Sequence, residues 1–321
     1  MIDLCPDEFC GIDDELKKQL SIYHANFDFA SQNNIALLLC GQTRTFVLDK
    51  INTAINDYIQ QLKQRGFNVV CFFFVNASKP NWKGSDWHYH RLVGDGCVDS
   101  IEKAHTLTDE YFDKLDTNQE QILEIINNKI HTECCVEFYD ESFVDKILRE
   151  VDKILRGQEY FHYTEPSIRI QWELSKYCLG MVKSYEQKNN IKFGKIIKTR
   201  PDFHFCVRND PDQLPLQYQG GWKYRRLFSY LKSDGIFYTG CDQFMVWPRY
   251  TLDFVQSLAF PDFEKDQNLV AMLDHMADWQ INHFWTLLKL YFAGFTNIKY
   301  VYHPFEYKTF NDTICMEINH N

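Results

Sequence analysis

The stretch Lys195-Ile-Ile-Lys-Thr-Arg-Pro-Asp-Phe-His-Phe205 begins as an apolar strand and turns polar halfway along. Regular strand pairing is expected to stop near Pro201, because proline has no N–H group for the hydrogen-bond ladder. Asp202 and His204 are two residues apart, so their side chains share one face of an extended segment. A carboxylate and an imidazole beside Arg200 suit a divalent metal ion that holds an anionic group. The alternative is a strand end with an ordinary Asp–Arg surface pair.

The residues before this stretch show an α/β pattern. The continuous apolar run Ile35–Cys40 predicts a central parallel strand, and the loop Gly41–Arg44 follows it. A helix near Val47–Arg65 and a second buried strand at Phe67–Val75 come next. A strand–helix–strand unit with an open loop after its first strand is the start of a Rossmann-like α/β fold.

The rest of the chain continues with helices and short strands, and no repeat interrupts it. We predict an N-terminal tail at residues 1–32, with a short helix at Asp14–Ser21, and a single domain at residues 33–321. Further strands are predicted at Cys134–Tyr139, Gly235–Tyr238, Phe244–Trp247 and Asn297–Tyr302, and further helices at Asp140–Arg156, Thr164–Gln187, Pro248–Leu258 and Asp266–Tyr291.

Composition and charge are those of an ordinary globular protein. The 321 residues are 45% apolar and 24% charged, and the net charge of −10 argues against a nucleic-acid-binding surface. Eleven scattered cysteines without a Cys-x-x-Cys pair indicate reduced thiols. The acidic N-terminus is unlike a signal peptide, and the apolar runs are too short for a transmembrane segment. These features predict a cytoplasmic protein.

An α/β first half, a strand that ends in Arg-Pro-Asp-Phe-His and a late histidine after a strand occur together in this chain. In this it resembles the nucleotide-sugar-dependent glycosyltransferases of the GT-A fold, over roughly residues 34–305. Uncharacterised viral and lipopolysaccharide-type glycosyltransferases are similar in the same stretch and in Cys-Asp-Gln-Phe-Met-Val at 241–246. The resemblance implies a central, mostly parallel sheet flanked by helices. It also implies a Mn²⁺ or Mg²⁺ ion bound by Asp202, His204 and His303, with His204 in place of the usual second acidic residue.

Cations near the strand ends are candidates for binding the donor diphosphate. Arg200 is the first of them, because its planar guanidinium group matches phosphate oxygens; its alternative role is an ion pair with a carboxylate. Arg44 lies in the loop after the first predicted strand, where open α/β sheets bind ligands, and Gly41 allows a close approach of the backbone. Lys176, on the helix predicted before the strand that begins at Lys195, could reach the same site or be a solvated surface lysine.

Two aspartates are candidates for the catalytic base that deprotonates the acceptor hydroxyl. Asp242 lies in a Thr-Gly-Cys-Asp-Gln turn between two predicted strands, which would fix its carboxylate rigidly. Asp278, in the middle of a predicted long helix, is its rival, and Asp242 could instead bind hydroxyls of the donor sugar. Four tryptophans are candidates for stacking on sugar rings or for core packing: Trp82, Trp87, Trp222 and Trp247.

The sequence therefore predicts a metal-assisted glycosyltransferase with a UDP- or GDP-linked sugar donor and a glycan or glycoprotein acceptor. One alternative is a metal-dependent nucleotidyltransferase or phosphohydrolase, which should carry a denser carboxylate cluster. The other is a non-catalytic carbohydrate- or nucleotide-binding domain on a transferase scaffold.

Overall fold

A computed structural model describes residues 12–77, 98–106, 118–155, 166–201, 234–239, 244–258 and 289–300, with isolated positions between them. Its helices are α1 (Asp14–Ala25), α2 (Asp49–Gln64), α3 (Gln119–Lys129), α4 (Glu141–Leu155), α5 (Pro166–Asn189) and α6 (Arg249–Ser257). Its strands are β1 (Asn34–Gln42), β2 (Asn68–Asn76), β3 (Glu133–Phe138), β4 (Lys195–Thr199), β5 (Ile236–Thr239), β6 (Phe244–Pro248) and β7 (Ile298–Tyr300). Short 3₁₀ helices span Phe29–Asn33 and Arg44–Val47.

Within the described residues, seven strands form one sheet in the order β3-β2-β1-β4-β6-β5-β7. Strands β3, β2, β1 and β4 pair in parallel, and β5 pairs in parallel with β7. Only β6 among these strands runs in the opposite direction, antiparallel to both of its neighbours. The predicted α/β class, with a mostly parallel sheet flanked by helices, is confirmed.

Each face of the sheet is covered by helices, and β1 lies in the middle of the core. Every side chain from Ile35 to Cys40 is fully buried. Alternate residues of β1 and β2 pack under the apolar face of α2 on one side and against α5 and α6 on the other. Burial on both faces explains why β1 is continuously apolar instead of alternating with polar residues.

The described part of the predicted tail, residues 12–32, is packed against the domain. Asp13 caps α1 by accepting hydrogen bonds from the amides of Glu15 and Leu16, and its own amide donates to the Phe292 carbonyl at 2.8 Å. Leu20 of α1 is buried in the core. The helix predicted at Asp14–Ser21 is confirmed and extends one further turn.

The predicted strands are confirmed to within two residues at each end that the structure describes, and the end of the strand predicted at Asn297–Tyr302 lies outside the described residues. Most of the long helix predicted at Asp266–Tyr291 lies outside the described residues. None of the helices that the structure describes is both long and apolar enough to cross a membrane.

Lys195, the first residue of β4, is 1% exposed. Burial lowers its pKa from about 10.5 to about 8, and the Asp234 carboxylate partly opposes this shift. Between these two values the unfolded chain binds a proton that the folded chain lacks. The free energy of unfolding should therefore rise with pH in this window, by at most about 1.4 kcal/mol per pH unit from this group.

We expect Lys195→Met to lose this contribution, because methionine has no proton to release. Urea unfolding of both proteins between about pH 8 and pH 10 measures it. Buried thiols with raised pKa values, such as Cys71, titrate in both proteins and cancel in the difference. Equal pH slopes for the two proteins would contradict the lowered pKa of Lys195.

Candidate functional site

The strand order reverses direction beside β1. From β1 the chain proceeds outward through β2 to β3 and then returns to β4 on the other side of β1. The strand order therefore changes direction between β1 and β4. In open α/β sheets, such a reversal leaves a crevice that commonly binds ligands.

The carboxyl end of β1 and the segment that follows β4 approach each other closely at this crevice. The register pairs Leu39 with Thr199. Two residues further on, a Cβ atom built on Gly41 would lie 3.9 Å from Cδ of Pro201. Gly41 itself has a φ of +129°, a backbone conformation that side-chain-bearing residues rarely adopt. A glycine is thus required at this position by the backbone conformation.

The loop after β1 is held by the end of β2. Both the amide and the hydroxyl of buried Thr43 donate to the Asn76 carbonyl at 3.1 Å. The Phe46 amide donates back to the Thr43 carbonyl, which closes the 3₁₀ turn Arg44–Val47. The backbone that carries Arg44 therefore has a defined position at the crevice.

Asn52 fixes the other end of this turn. The side-chain Nδ2 atom of Asn52 donates to the carbonyls of Phe46 and Leu48 at 3.3 and 3.1 Å. The residue is fully buried. Its neighbours on the same face of α2, such as Ile55 and Ile59, are apolar core residues. A polar asparagine at a core position of an amphipathic helix is the sequence signal that Asn52 holds the turn. Asn52 was not among the predicted site residues.

Three further residues on which the sequence analysis relied have described positions. Arg200 directly follows β4 and is half-buried. Pro201 marks the end of regular pairing, since β4 ends at Thr199 as predicted. Lys176 is exposed on α5, between the buried residues Leu174 and Cys178. Its contact with a nucleotide stays a prediction.

The proposed metal ligands and bases lie outside the described residues: Asp202, His204, Asp242, Asp278 and His303. Asp202 is the next residue in the chain after Pro201. The described part of the chain contains no group of three or more His, Cys, Asp or Glu side chains that could bind a metal ion.

Comparisons with protein-family models, with curated proteins and with solved structures find no match for this chain. The features of this chain that indicate a function are therefore the crevice and the sequence around it.

Proposed function

We propose that this chain is a nucleotide-sugar-dependent glycosyltransferase with a Rossmann-like GT-A fold. The donor nucleotide binds at the carboxyl ends of β1 and β4, with UDP or GDP as its leaving group. The acceptor is a hydroxyl group of a glycan or glycoprotein.

The observation that carries this proposal is the approach of Gly41 to Pro201 at the reversal of strand order. The order β3-β2-β1-β4 is the arrangement in which Rossmann-type sheets bind nucleotides outside the carboxyl ends of their strands. Here both segments at that edge carry an arginine, Arg44 after β1 and Arg200 after β4. Guanidinium groups match the charge and the oxygen geometry of a diphosphate.

The proposal includes Mn²⁺ or Mg²⁺ bound by Asp202, His204 and His303. When bound, such an ion offsets the negative charge that develops on the departing nucleoside diphosphate. Asp242, with Asp278 as its rival, is the proposed base for the acceptor hydroxyl.

Arg200→Ala should weaken nucleoside diphosphate binding by about tenfold or more, because a hydrogen bond to a charged group contributes roughly 1.5–3 kcal/mol. Isothermal titration with UDP and with GDP, each with excess MnCl₂, measures the loss. Arg149→Ala is the matched control, since Arg149 is an exposed arginine on α4, far along the chain from the crevice. The control should bind as the wild type does.

Several outcomes oppose the proposal. If neither nucleotide binds to the wild-type protein, the proposed donor site is wrong. If nucleoside diphosphates bind equally to a folded Arg200→Ala protein, the nucleotide lies elsewhere. Binding of a nucleoside diphosphate without any cleavage of UDP- or GDP-linked sugars favours the non-catalytic binding domain, and turnover of nucleoside triphosphates favours a nucleotidyltransferase.

A further inference from the structure

A polar side chain interrupts the apolar core face of α2 close to the crevice. Asn52 is fully buried, and Ile55 and Ile59, three and seven residues further along the same face, belong to the apolar core. Burial of a side-chain amide among apolar residues costs free energy unless its donor and its acceptor are both hydrogen-bonded. The hydrogen bonds of Asn52 therefore decide whether this residue stabilises the fold.

The amide of Asn52 is only partly satisfied. Its Nδ2 atom donates to the carbonyls of Phe46 and Leu48 at 3.3 and 3.1 Å, both longer than the commonest distance for such bonds. The Leu48 carbonyl also accepts from the backbone amides of Ile51 and Asn52 at 2.8 and 3.2 Å, so it does not depend on the side chain. The Oδ1 atom of Asn52 is shielded from water and has no hydrogen-bond partner. An unpaired buried acceptor costs about as much free energy as two weak bonds gain, so this amide adds little or no stability.

What Asn52 supplies is the orientation of the turn Arg44–Val47. The ring of Phe46 is fully buried and packs edge-on against Phe73, with the ring centroids 5.7 Å apart, so the core anchors the turn without Asn52. A buried ring fixes the position of a turn, but the peptide groups beside it can still rotate. The hydrogen bond from Asn52 Nδ2 to the Phe46 carbonyl opposes that rotation.

We propose that Asn52 is a positioning residue for the donor nucleotide: it holds the turn that carries Arg44 in the orientation that binds the diphosphate. A buried polar group that does not stabilise the fold requires an explanation, and departures of this kind are expected at functional sites. The turn comes directly after β1, whose carboxyl end borders the crevice. This inference rests on the proposed function, because it takes the nucleotide as the ligand of the crevice.

Asn52→Leu tests the inference, because leucine has the same branching as asparagine and makes no hydrogen bonds. Its midpoint of urea unfolding should equal or exceed that of the wild type. Amide hydrogen exchange, measured by mass spectrometry on peptides covering residues 43–48, should be about tenfold faster than in the wild type. Isothermal titration with UDP and with GDP, each with excess MnCl₂, should show binding that is about tenfold weaker.

Two further variants separate positioning from a general structural role. Thr43→Val removes the hydroxyl that donates to the Asn76 carbonyl at the other end of the turn, so it should also speed exchange at residues 43–48 and weaken nucleotide binding. The double variant Arg44→Ala/Asn52→Leu should bind no more weakly than Arg44→Ala alone, because Asn52 acts through the turn that carries Arg44.

Asn56→Leu is the matched control, one turn further along α2. The Oδ1 atom of Asn56 accepts from the His131 amide at 3.0 Å and from Gln60 Nε2 at 3.3 Å, near the start of β3. Loss of these bonds should lower the midpoint of urea unfolding, with exchange at residues 43–48 and nucleotide binding unchanged. The control and Asn52→Leu are therefore expected to differ in all three measurements.

Several results overturn the inference. A midpoint of urea unfolding clearly below that of the wild type would make Asn52 an ordinary part of the fold. Unchanged exchange at residues 43–48, or additive losses of binding in the double variant, would show that Asn52 does not act through the turn. If the wild type binds a nucleotide and Asn52→Leu binds it equally, only this inference fails. If the wild type binds neither nucleotide, the proposed function fails and this inference fails with it.

Discussion

Gly194→Ala is expected to lower the free energy of unfolding by about 3 kcal/mol. A Cβ atom at this position would lie 2.5 Å from Cα and 2.7 Å from N of Gln32, and 2.6 Å from the carbonyl oxygen of Ser31. All three are backbone atoms, so no side-chain rotation relieves the overlap. The segment at Ser31 and Gln32 must move away from the start of β4.

That movement also disturbs hydrogen bonds on both sides of Gly194. Its amide donates to the carbonyls of Ser31 and Asn34 at 3.0 Å, and its carbonyl accepts from the Arg249 amide at 3.0 Å. Through these hydrogen bonds, Gly194 connects the start of β1 with the first residue of α6. Urea unfolding followed by far-ultraviolet circular dichroism measures the loss of stability.

Gly180→Ala is the matched control for this prediction. Gly180 lies on the exposed face of α5, and a Cβ atom there would meet nothing within 4 Å. Alanine favours the helix over glycine, so this variant should gain about 0.5–1 kcal/mol. Opposite signs for the two Gly→Ala changes are the expected result. If Gly194→Ala proves as stable as the wild type, the close packing at Gln32 is incorrect.

Local patterns were sufficient to predict the elements of the sheet. The unbroken apolar run at Ile35–Cys40 becomes β1 because both faces of a central parallel strand are covered by helices. Pro201 correctly predicted where β4 ends, since the end of the ladder depends on a missing N–H group. Both signals depend on chemistry within a few residues.

Contacts between distant segments could not be predicted in the same way. Nothing in the residues around Gly194 indicates that Gln32 packs against it, because this contact depends on the strand order. Trp247 was a candidate for sugar stacking or for the core; it is 3% exposed and packs in the core. The ion pair of Glu186 and Arg249 joins residues that are 63 positions apart, so no local pattern indicates it.

The proximity of the two chain segments at the crevice could be predicted only in part. Polar residues after two strands predicted a shared edge, and the contact distance between Gly41 and Pro201 agrees with it. The sequence could not show that Thr43 and Asn52 hold the 3₁₀ turn after β1. Their side chains donate to the carbonyls of Asn76 and Phe46, and these carbonyls are placed beside them only by the fold.

Asp202→Asn should reduce cleavage of the nucleotide-sugar donor by roughly a hundredfold, provided that the proposed function is correct. Asp202 follows Pro201 in the chain, and Pro201 is the residue that approaches Gly41 at the crevice. Asparagine keeps the volume of the side chain and removes the negative charge proposed to hold the divalent ion. The stability of the protein should therefore change much less than its turnover.

Release of UDP or GDP from the nucleotide sugar, measured with excess MnCl₂, gives the turnover without a known acceptor. Asp57→Asn, the same change at an exposed position of α2, is the control and should retain wild-type turnover. The affinity for the nucleoside diphosphate should lose its dependence on Mn²⁺ in Asp202→Asn, whereas Arg200→Ala should keep that dependence and bind more weakly. Because a metal ligand and a phosphate ligand differ in this respect, the two variants separate their roles. Comparable turnover of Asp202→Asn and the wild type at saturating Mn²⁺ would remove Asp202 from the proposed metal site.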